Sequence, residues 1–372
     1  MNLPAVEFSL DEDLRKQESS EENDWEQALT VSNQNLKQFP IEAFAETNKQ
    51  NLNILVASKN EITDIPCEIS LCFALKRLDL SKNQIDRLPI ELFTLPNLNY
   101  VDLGSNLLSE SCLDFSESSE VIVAASRITH LVLSNNKFAV APWWIPLMIK
   151  LSYLHMGANS LKCLPSAIEK LTSLQDLYLG GNKLLEIPES IGSMLQLSKL
   201  IVNDNHLVSI PDALANLRNL KSLMLHGNRL KVLPQSLIKL QNLEELSLRG
   251  NPLVDRFVRS VHMYNVPSLK ELASRFVVKN GLNIQLGDIP ETLMNFLKSS
   301  QQCINPACGG VYFTSCVEHV KFVDFCGRYR VPFLIYLCSP NCEYPETDSS
   351  SSSDAESLLG VSPMHMRRVL LG

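Results

Sequence analysis

The sequence predicts an α/β solenoid: short parallel strands stacked into a curved sheet that lines a concave face, followed by a helical segment and a small cysteine-rich module. Three observations carry this reading. An asparagine recurs at Asn60, Asn83, Asn106, Asn136, Asn159, Asn182, Asn205, Asn228 and Asn251, 23 residues apart throughout except for a gap of 30 between Asn106 and Asn136. The periodicity stops after the GNPLVDRFV stretch that opens at Gly250, and helical patterning replaces it. Six of the ten cysteines crowd between Cys303 and Cys342. The chain is thereby divided into an acidic lead (1–28), repeats (29–253), a helical segment (254–301), a cysteine-rich module (302–345) and a serine-acidic tail with a short terminal helix (346–372).

Within each period the pattern is L-x-x-L-x-L-x-x-N-x-L, as in Leu174, Leu177, Leu179 and Asn182. Alternation places the leucines of a short strand on one side, toward a shared core, and the asparagine amide satisfies backbone groups where the chain turns out of the strand. One such coil cannot bury its apolar face alone; a stack of them can. Prolines 66, 89, 165, 188, 211 and 234 start the return segments, where a missing N–H costs little. LTVSNQNLKQFP from Leu29 is a degenerate first coil with Gln34 in the asparagine place, and Trp25 with the acidic stretch before it reads as a cap or lead.

This register resembles the leucine-rich-repeat superfamily, whose strands line a concave binding face. The resemblance implies that the residues between the leucines project from it. Tyr100, His130, Tyr153, His155 and Tyr178 then fall on adjacent coils, followed by Ile201, Met224 and His226, an aromatic-to-apolar track suited to a protein partner. Tyrosine also simply suits a strand, so the track has a structural reading as well. Gly104, Gly157, Gly180 and Gly181 keep the floor beside it open. The long gap holds SESCLDFSESSE, read more readily as tolerated slack than as a binding loop, and Trp143 and Trp144 fall where structural packing is expected.

After the repeats, Pro267 to Ala273 opens with a capping box at Ser268 and Glu271. Ser268, Leu269, Ala273 and Val277, with Leu272 on the same face, resemble the elongin-binding box of ubiquitin-ligase substrate receptors, which implies that Leu269 enters a pocket on elongin C. Ile289, Pro290, Leu293, Phe296 and Leu297 resemble the cullin-meeting half of a suppressor-of-cytokine-signalling box. Thr292 replaces the second proline of its commonest form, which leaves the cullin open. The bland reading is that both helices only cap the array.

Cys303 with Cys308 and Cys338 with Cys342 are paired on turn-rich loops, a spacing that suits a tetrahedral structural zinc site. Cys316 and Cys326 are alternative outer ligands or buried thiols. CINPACGGVYF, KFVDFCGRYRVPFLIYLCSPNC and the closing RRVLLG resemble one intracellular group of the superfamily. Thr347 to Ser357 reads as a disordered linker in which Ser351 and Ser353 each precede an acid by three residues, and MHMRRVLLG as a short docking helix or a frayed end.

Composition excludes several classes. A formal charge of −8, from 33 basic and 41 acidic residues, argues against a general nucleic-acid binder. No apolar run is long enough for a membrane span, and the first thirty residues lack a signal peptide's pattern. The expected location is the cytoplasm, with the nucleus also open. No phosphate loop, nucleophile elbow or H-E-x-x-H occurs, so a non-catalytic binding subunit is expected. Two functions follow: a substrate receptor of a cullin-RING ubiquitin ligase that recruits elongin B/C and a cullin, or a signalling scaffold whose post-repeat helices only cap the solenoid.

Overall fold

The computed structural model describes residues 28–40, 52–114, 116–253, 267–282, 288–303, 305, 308–325, 329–340, 342 and 368–370. Trp25, Cys326 and the serine-acidic tract lie outside them. The chain forms two compact units, Met1–Lys183 and Leu184–Gly372.

In the first unit the strands are β1 (Ala28–Thr30), β2 (Ile54–Val56), β3 (Arg77–Asp79), β4 (Tyr100–Asp102), β5 (His130–Val132), β6 (Tyr153–His155) and β7 (Asp176–Tyr178), paired in parallel in chain order. Registration is uniform: Leu29, Leu55, Leu78, Val101, Leu131, Leu154 and Leu177 are successive partners. From β2 to β7 the middle residue is buried and its two neighbours are half-exposed. The period-2 alternation thus selects the inward column, and Leu75, Leu80, Leu98, Leu103, Leu151 and Leu174 complete the core around it.

The asparagines form the expected ladder. Asn159 Nδ2 donates to the carbonyls of Leu133, Met156 and Gly157, and its Oδ1 accepts the N–H groups of Asn136 and Phe138. Each such amide satisfies buried backbone groups on two coils. The residue before the asparagine sits in the left-handed region at Lys59, Lys82, Ser105, Asn135, Ala158 and Gly181. The turn demands that geometry, and the amide's bonds to carbonyls two and three residues back hold it there.

Return segments are single 3-10 turns, Cys67–Leu71, Ile90–Thr94 and Ser166–Lys170, each entered from an extended proline. The long gap, expected as slack, has regular structure of its own. Its residues form helix α1 (Glu117–Ala125), capped by the Ser116 hydroxyl, which accepts the Ser119 N–H. Glu110 Oε1 also accepts the N–H groups of Ala139 and Val140 on the following coil. Extra chain lets one return segment close as an α-helix, and its acid caps the neighbour. Trp144 is buried edge-on to Phe93, the packing role expected of it.

The second unit continues the repeats with β8 (Lys199–Ile201), β9 (Ser222–Met224), a short convex strand β10 (Leu233–Pro234) and β11 (Glu245–Ser247). Helices α2 (Leu269–Lys279) and α3 (Glu291–Lys298) follow. The cysteine-rich module contributes β12 (Gln301–Gln302), β13 (Val311–Tyr312), β14 (Val317–Phe325) and β15 (Tyr329–Leu337). β12 and β13 pair antiparallel, as do β14 and β15, and β15 also runs parallel to β10, so the module is joined to a repeat through its sheet. The closing segment differs from the short helix expected: Arg368–Leu370 is a strand, β16, parallel to β11. An open strand edge offers unpaired N–H and C=O groups, and pairing them outweighs a helical turn too short to sustain itself.

Candidate functional site

Tyr100, His130 and Tyr153 occupy the same register position on β4, β5 and β6. Strands are about 4.8 Å apart, so rings projecting from one position must stack. Tyr100 and His130 have centroids 6.2 Å apart and nearly parallel planes; His130 and Tyr153 are 5.8 Å apart. The run continues sideways from Tyr153 to Tyr178 at 5.1 Å and from Tyr178 to His155 at 5.3 Å. The Arg77 guanidinium lies 4.2 Å from the Tyr100 centroid and closes the other end. The five sequence-predicted residues of this unit are therefore one contiguous set, each half-buried.

Its electrostatics follow from burial. Burial lowers the His155 imidazole to about 4, so the ring is neutral near pH 7, and its Nδ1 is buried with no hydrogen-bond partner among the described residues. Burial likewise lowers His130, against the nearby Asp176 carboxylate. Burial first, and the neighbouring Asp79 carboxylate second, raise Asp102 to about 6. Sequence reasoning passed over Arg77, Asp79 and Asp102, although they stand in the same columns. In the second unit Ile201 and Met224 are register partners on β8 and β9, and His226 follows two residues later, its Nδ1 also buried without a partner among the described residues.

Helix α2 is built inside out. Ser268 caps it by accepting the Glu271 N–H at 3.2 Å, half of the expected capping box. The other half is redirected, since the Glu271 carboxylate turns to the cysteine-rich module. It accepts the N–H groups of Phe313 and Ser315, the Thr314 hydroxyl at 2.7 Å, and the Arg275 guanidinium at 2.5 Å. Burial alone would raise this carboxyl; Arg275 and the other donors hold it down at about 2. Arg275 in turn donates to the Cys338 carbonyl at 2.8 Å and to the Ser315 carbonyl. Glu271 is 0% exposed, whereas Leu269 is 83%, Leu272 49% and Phe276 63% exposed. Ala273 is exposed beside them and Val277 is half-buried.

Residues of the second helical motif are less free. Leu293, Phe296 and Leu297 are half-buried on α3. Phe296 stacks on Phe313 at 4.6 Å, and the Lys270 ammonium lies 4.0 Å from the Phe296 ring centroid. Ile289 and Pro290 precede the helix, with Pro290 at its cap.

Cys303, Cys308, Cys338 and Cys342 place their sulfurs within 4.8 Å of one another and could hold a metal ion. Cys303 and Cys342 sulfurs are 3.6 Å apart, Cys308 and Cys338 sulfurs 3.9 Å. Donors surround them: Gly310 N–H points at Cys308 Sγ, Cys338 N–H at Cys303 Sγ, and the Asn305 amide at Cys342 Sγ. A Cβ on Gly310 would lie 2.7 Å from Cys338 Sγ, so only glycine lets the strand pass this close. Cys316 is outside the cluster, its thiol raised by burial. Among the described residues no helix is long and apolar enough to cross a membrane.

Comparison with known proteins places these observations. A family described as "Leucine-rich repeat region" matches residues 145–274. Leucine-rich repeat-containing protein 58 of Xenopus laevis is 47% identical over 122 residues, 32% of this chain and 35% of that protein. The protein of the same name from Homo sapiens is 51% identical over 89 residues, 24% of each chain. The matched stretch thus spans about a third or less of the length of these curated relatives. Among solved structures, a Leptospira interrogans LRR protein, LIC12759, is similar at a TM-score of 0.55 and 29% identity, over 61% of this chain and 62% of that one. The ectodomain of the Arabidopsis thaliana receptor kinase GASSHO1/SCHENGEN3 is similar at a TM-score of 0.50 and 28% identity, over 60% of this chain and 27% of its own. With its asparagine ladder, uniform strand register and these similarities, the chain has the leucine-rich-repeat fold, and its residues 145–274 match the leucine-rich-repeat family.

Proposed function

We propose that the protein is the non-catalytic substrate-recognition subunit of a cullin-RING ubiquitin ligase, working in the cytoplasm. The repeats grip a protein substrate through Tyr100, His130, Tyr153, His155 and Tyr178, with Ile201, Met224 and His226 as further contacts. Helix α2 recruits elongin B/C through Ser268, Leu269, Leu272, Ala273 and Val277, and Ile289, Pro290, Leu293, Phe296 and Leu297 meet the cullin. The observation that carries this reading is the polarity of α2. A helix whose buried side is a carboxylate and a guanidinium, and whose solvent side is Leu269, Leu272 and Phe276, is arranged to offer hydrocarbon to another protein. Leucine and phenylalanine at i, i+3 and i+7 are anchors of the helix-in-groove kind.

Zinc is the ion proposed for the four cysteines, in a structural role. Four thiolates about 2.3 Å from one Zn²⁺ stand about 3.8 Å from each other; the Cys303–Cys342 and Cys308–Cys338 separations, 3.6 and 3.9 Å, lie close to that value, and all four sulfurs are within 4.8 Å of one another. The donor set is all sulfur, and the N–H groups aimed at it would stabilise thiolates. Burial pushes the Cys342 thiol up to about 12, a penalty that a bound cation removes.

A second reading, a signalling scaffold, is favoured by the engagement of Phe296 with Phe313, which is what a helix that only finishes the fold would do. Purification of the wild type and of Leu269→Asp from cells separates the two. Elongin B and C should accompany the wild type and be lost from the variant, with the unfolding temperature of the repeats unchanged. A wild type that brings down no elongin ends the ligase reading and leaves the scaffold.

A further inference from the structure

Little apolar burial holds α2 in place. The helix has eleven residues, and an isolated helix shorter than about 12–15 residues is marginal in water. Leu269, Leu272 and Phe276 face solvent and Val277 and Val278 are only half-buried, so its position depends largely on Glu271 and Arg275. Those two side chains reach two different segments of the cysteine-rich module. Glu271 takes the N–H groups of Phe313 and Ser315, just beyond β13. Arg275 takes the carbonyl of Cys338, itself one of the four clustered cysteines, and that of Ser315.

Both segments are fixed by the thiol cluster. β13 is held against β12, and the Cys303 N–H donates to the Gly310 carbonyl at 2.8 Å, so Phe313–Ser315 follows from the Cys303–Cys308 loop. The Cys338 carbonyl belongs to the Cys338–Cys342 loop. Thiols alone bind each other weakly, as poor donors and poor acceptors. A shared cation bonds all four sulfurs and makes the two loops one body.

We infer that Glu271 and Arg275 are positioning residues that transmit the metal-loaded state of Cys303, Cys308, Cys338 and Cys342 to α2, so that Leu269, Leu272 and Phe276 are presented in one register only when the metal is bound. Metal loading then licenses docking, and a chain without it keeps its repeats but not its recruiting helix. The consequence for elongin rests on the ligase reading above; the coupling of metal to helix does not.

Hydrogen exchange on the full chain tests this, read at the amides of 269–279 and, as an internal control, at 153–155. Protein with its zinc content measured is compared before zinc removal by chelation under reducing conditions, after removal, and after zinc is restored. Exchange across α2 should quicken about tenfold or more without zinc and recover with it, while β6 is unchanged. Glu271→Gln should retain zinc yet lose protection of α2, and Arg275→Lys, which keeps the charge but not the fork to Cys338 and Ser315, should lose part of it. Equal protection of α2 with and without zinc, a folded module that binds no zinc, or two zinc-retaining variants with wild-type protection would each overturn the inference. Binding of purified elongin B/C to the zinc-loaded chain is measured alongside: if α2 follows zinc but elongin never binds, the ligase reading fails and the coupling stands.

Discussion

Asp102 Oδ1 accepts the N–H of Gly104 at 2.8 Å and stands 3.1 Å from where a Cβ on that glycine would lie. The carboxyl is folded back over its own strand end, beside Asp79, and is raised from 3.8 to about 6. In the folded state it therefore binds a proton that the unfolded chain has released between those values. Its contribution is fully present below about pH 3.8 and is lost as pH rises through 6. Asp102→Asn keeps the acceptor for Gly104 and removes the charge. At pH 7.5 it should stabilise by on the order of 1–2 kcal/mol, after allowance for solvent screening. At pH 3.5 it should change nothing, and thermal unfolding at the two pH values provides the check. An equal shift at both would mean the effect is not electrostatic.

His155 imposes the opposite slope. Its folded value, about 4, lies below the ordinary 6.5, so its contribution is present above 6.5 and disappears as pH falls through 4. His155→Phe, neutral at every pH, should therefore flatten the acid limb of the stability profile between those values while leaving the limb set by Asp102.

Adjacent positions in one turn should respond in opposite senses. At Gly157 a Cβ would meet His155 Nε2 at 2.9 Å and the Gly180 carbonyl oxygen at 3.0 Å. Gly157→Ala should cost about 1–3 kcal/mol. Ala158 has φ 52°, where a Cβ is itself strained, so Ala158→Gly should be stabilising by up to about 1 kcal/mol. Chemical denaturation of the two single variants decides the matter, and the same sign for both would contradict it.

The thiol cluster offers a similar contrast. Gly309 has φ +54° with no atom within 4 Å of an added Cβ, whereas a Cβ on Gly310 would reach the Cys338 and Cys308 sulfurs at 2.7 and 3.2 Å. Gly310→Ala should weaken zinc binding about 10–100-fold. Gly309→Ala should only destabilise the turn, by about 1 kcal/mol. Competition with a chromophoric chelator measures both.

For the aromatic track, Tyr153→Ala with Tyr178→Ala removes the central pair at 5.1 Å. If these rings grip a protein partner as proposed, capture of that partner should fall by about tenfold or more without loss of soluble yield. Unchanged capture would move the binding face elsewhere.

Much of this architecture was legible because a repeat states its own rule nine times. The leucine and asparagine columns predict the strands, their register and the ladder, since each position's environment is the same on every coil. The stacking of Tyr100, His130 and Tyr153 was legible for the same reason. What escaped were contacts between segments that share no period. Nothing local shows that Glu271, in a motif that normally bends back on its own helix, reaches instead to Phe313–Ser315. Nor does it show that Glu110 serves the coil after its own. The tail was misread because RRVLLG alone permits helix or strand, and the choice is made by the open edge of β11, 123 residues earlier in the chain.

That edge has a further consequence. β16 pairs with Glu245–Ser247 over three residues only, a weak contact if it had to form between separate molecules. Because it is covalently attached, it meets β11 at an effective concentration that a free peptide does not reach. The edge is therefore held by a tethered competitor, not by an immovable block. A foreign strand seeking to extend the sheet there must first win an exchange, and the repeat array is kept from growing end to end by a contest that the chain itself enters with the advantage.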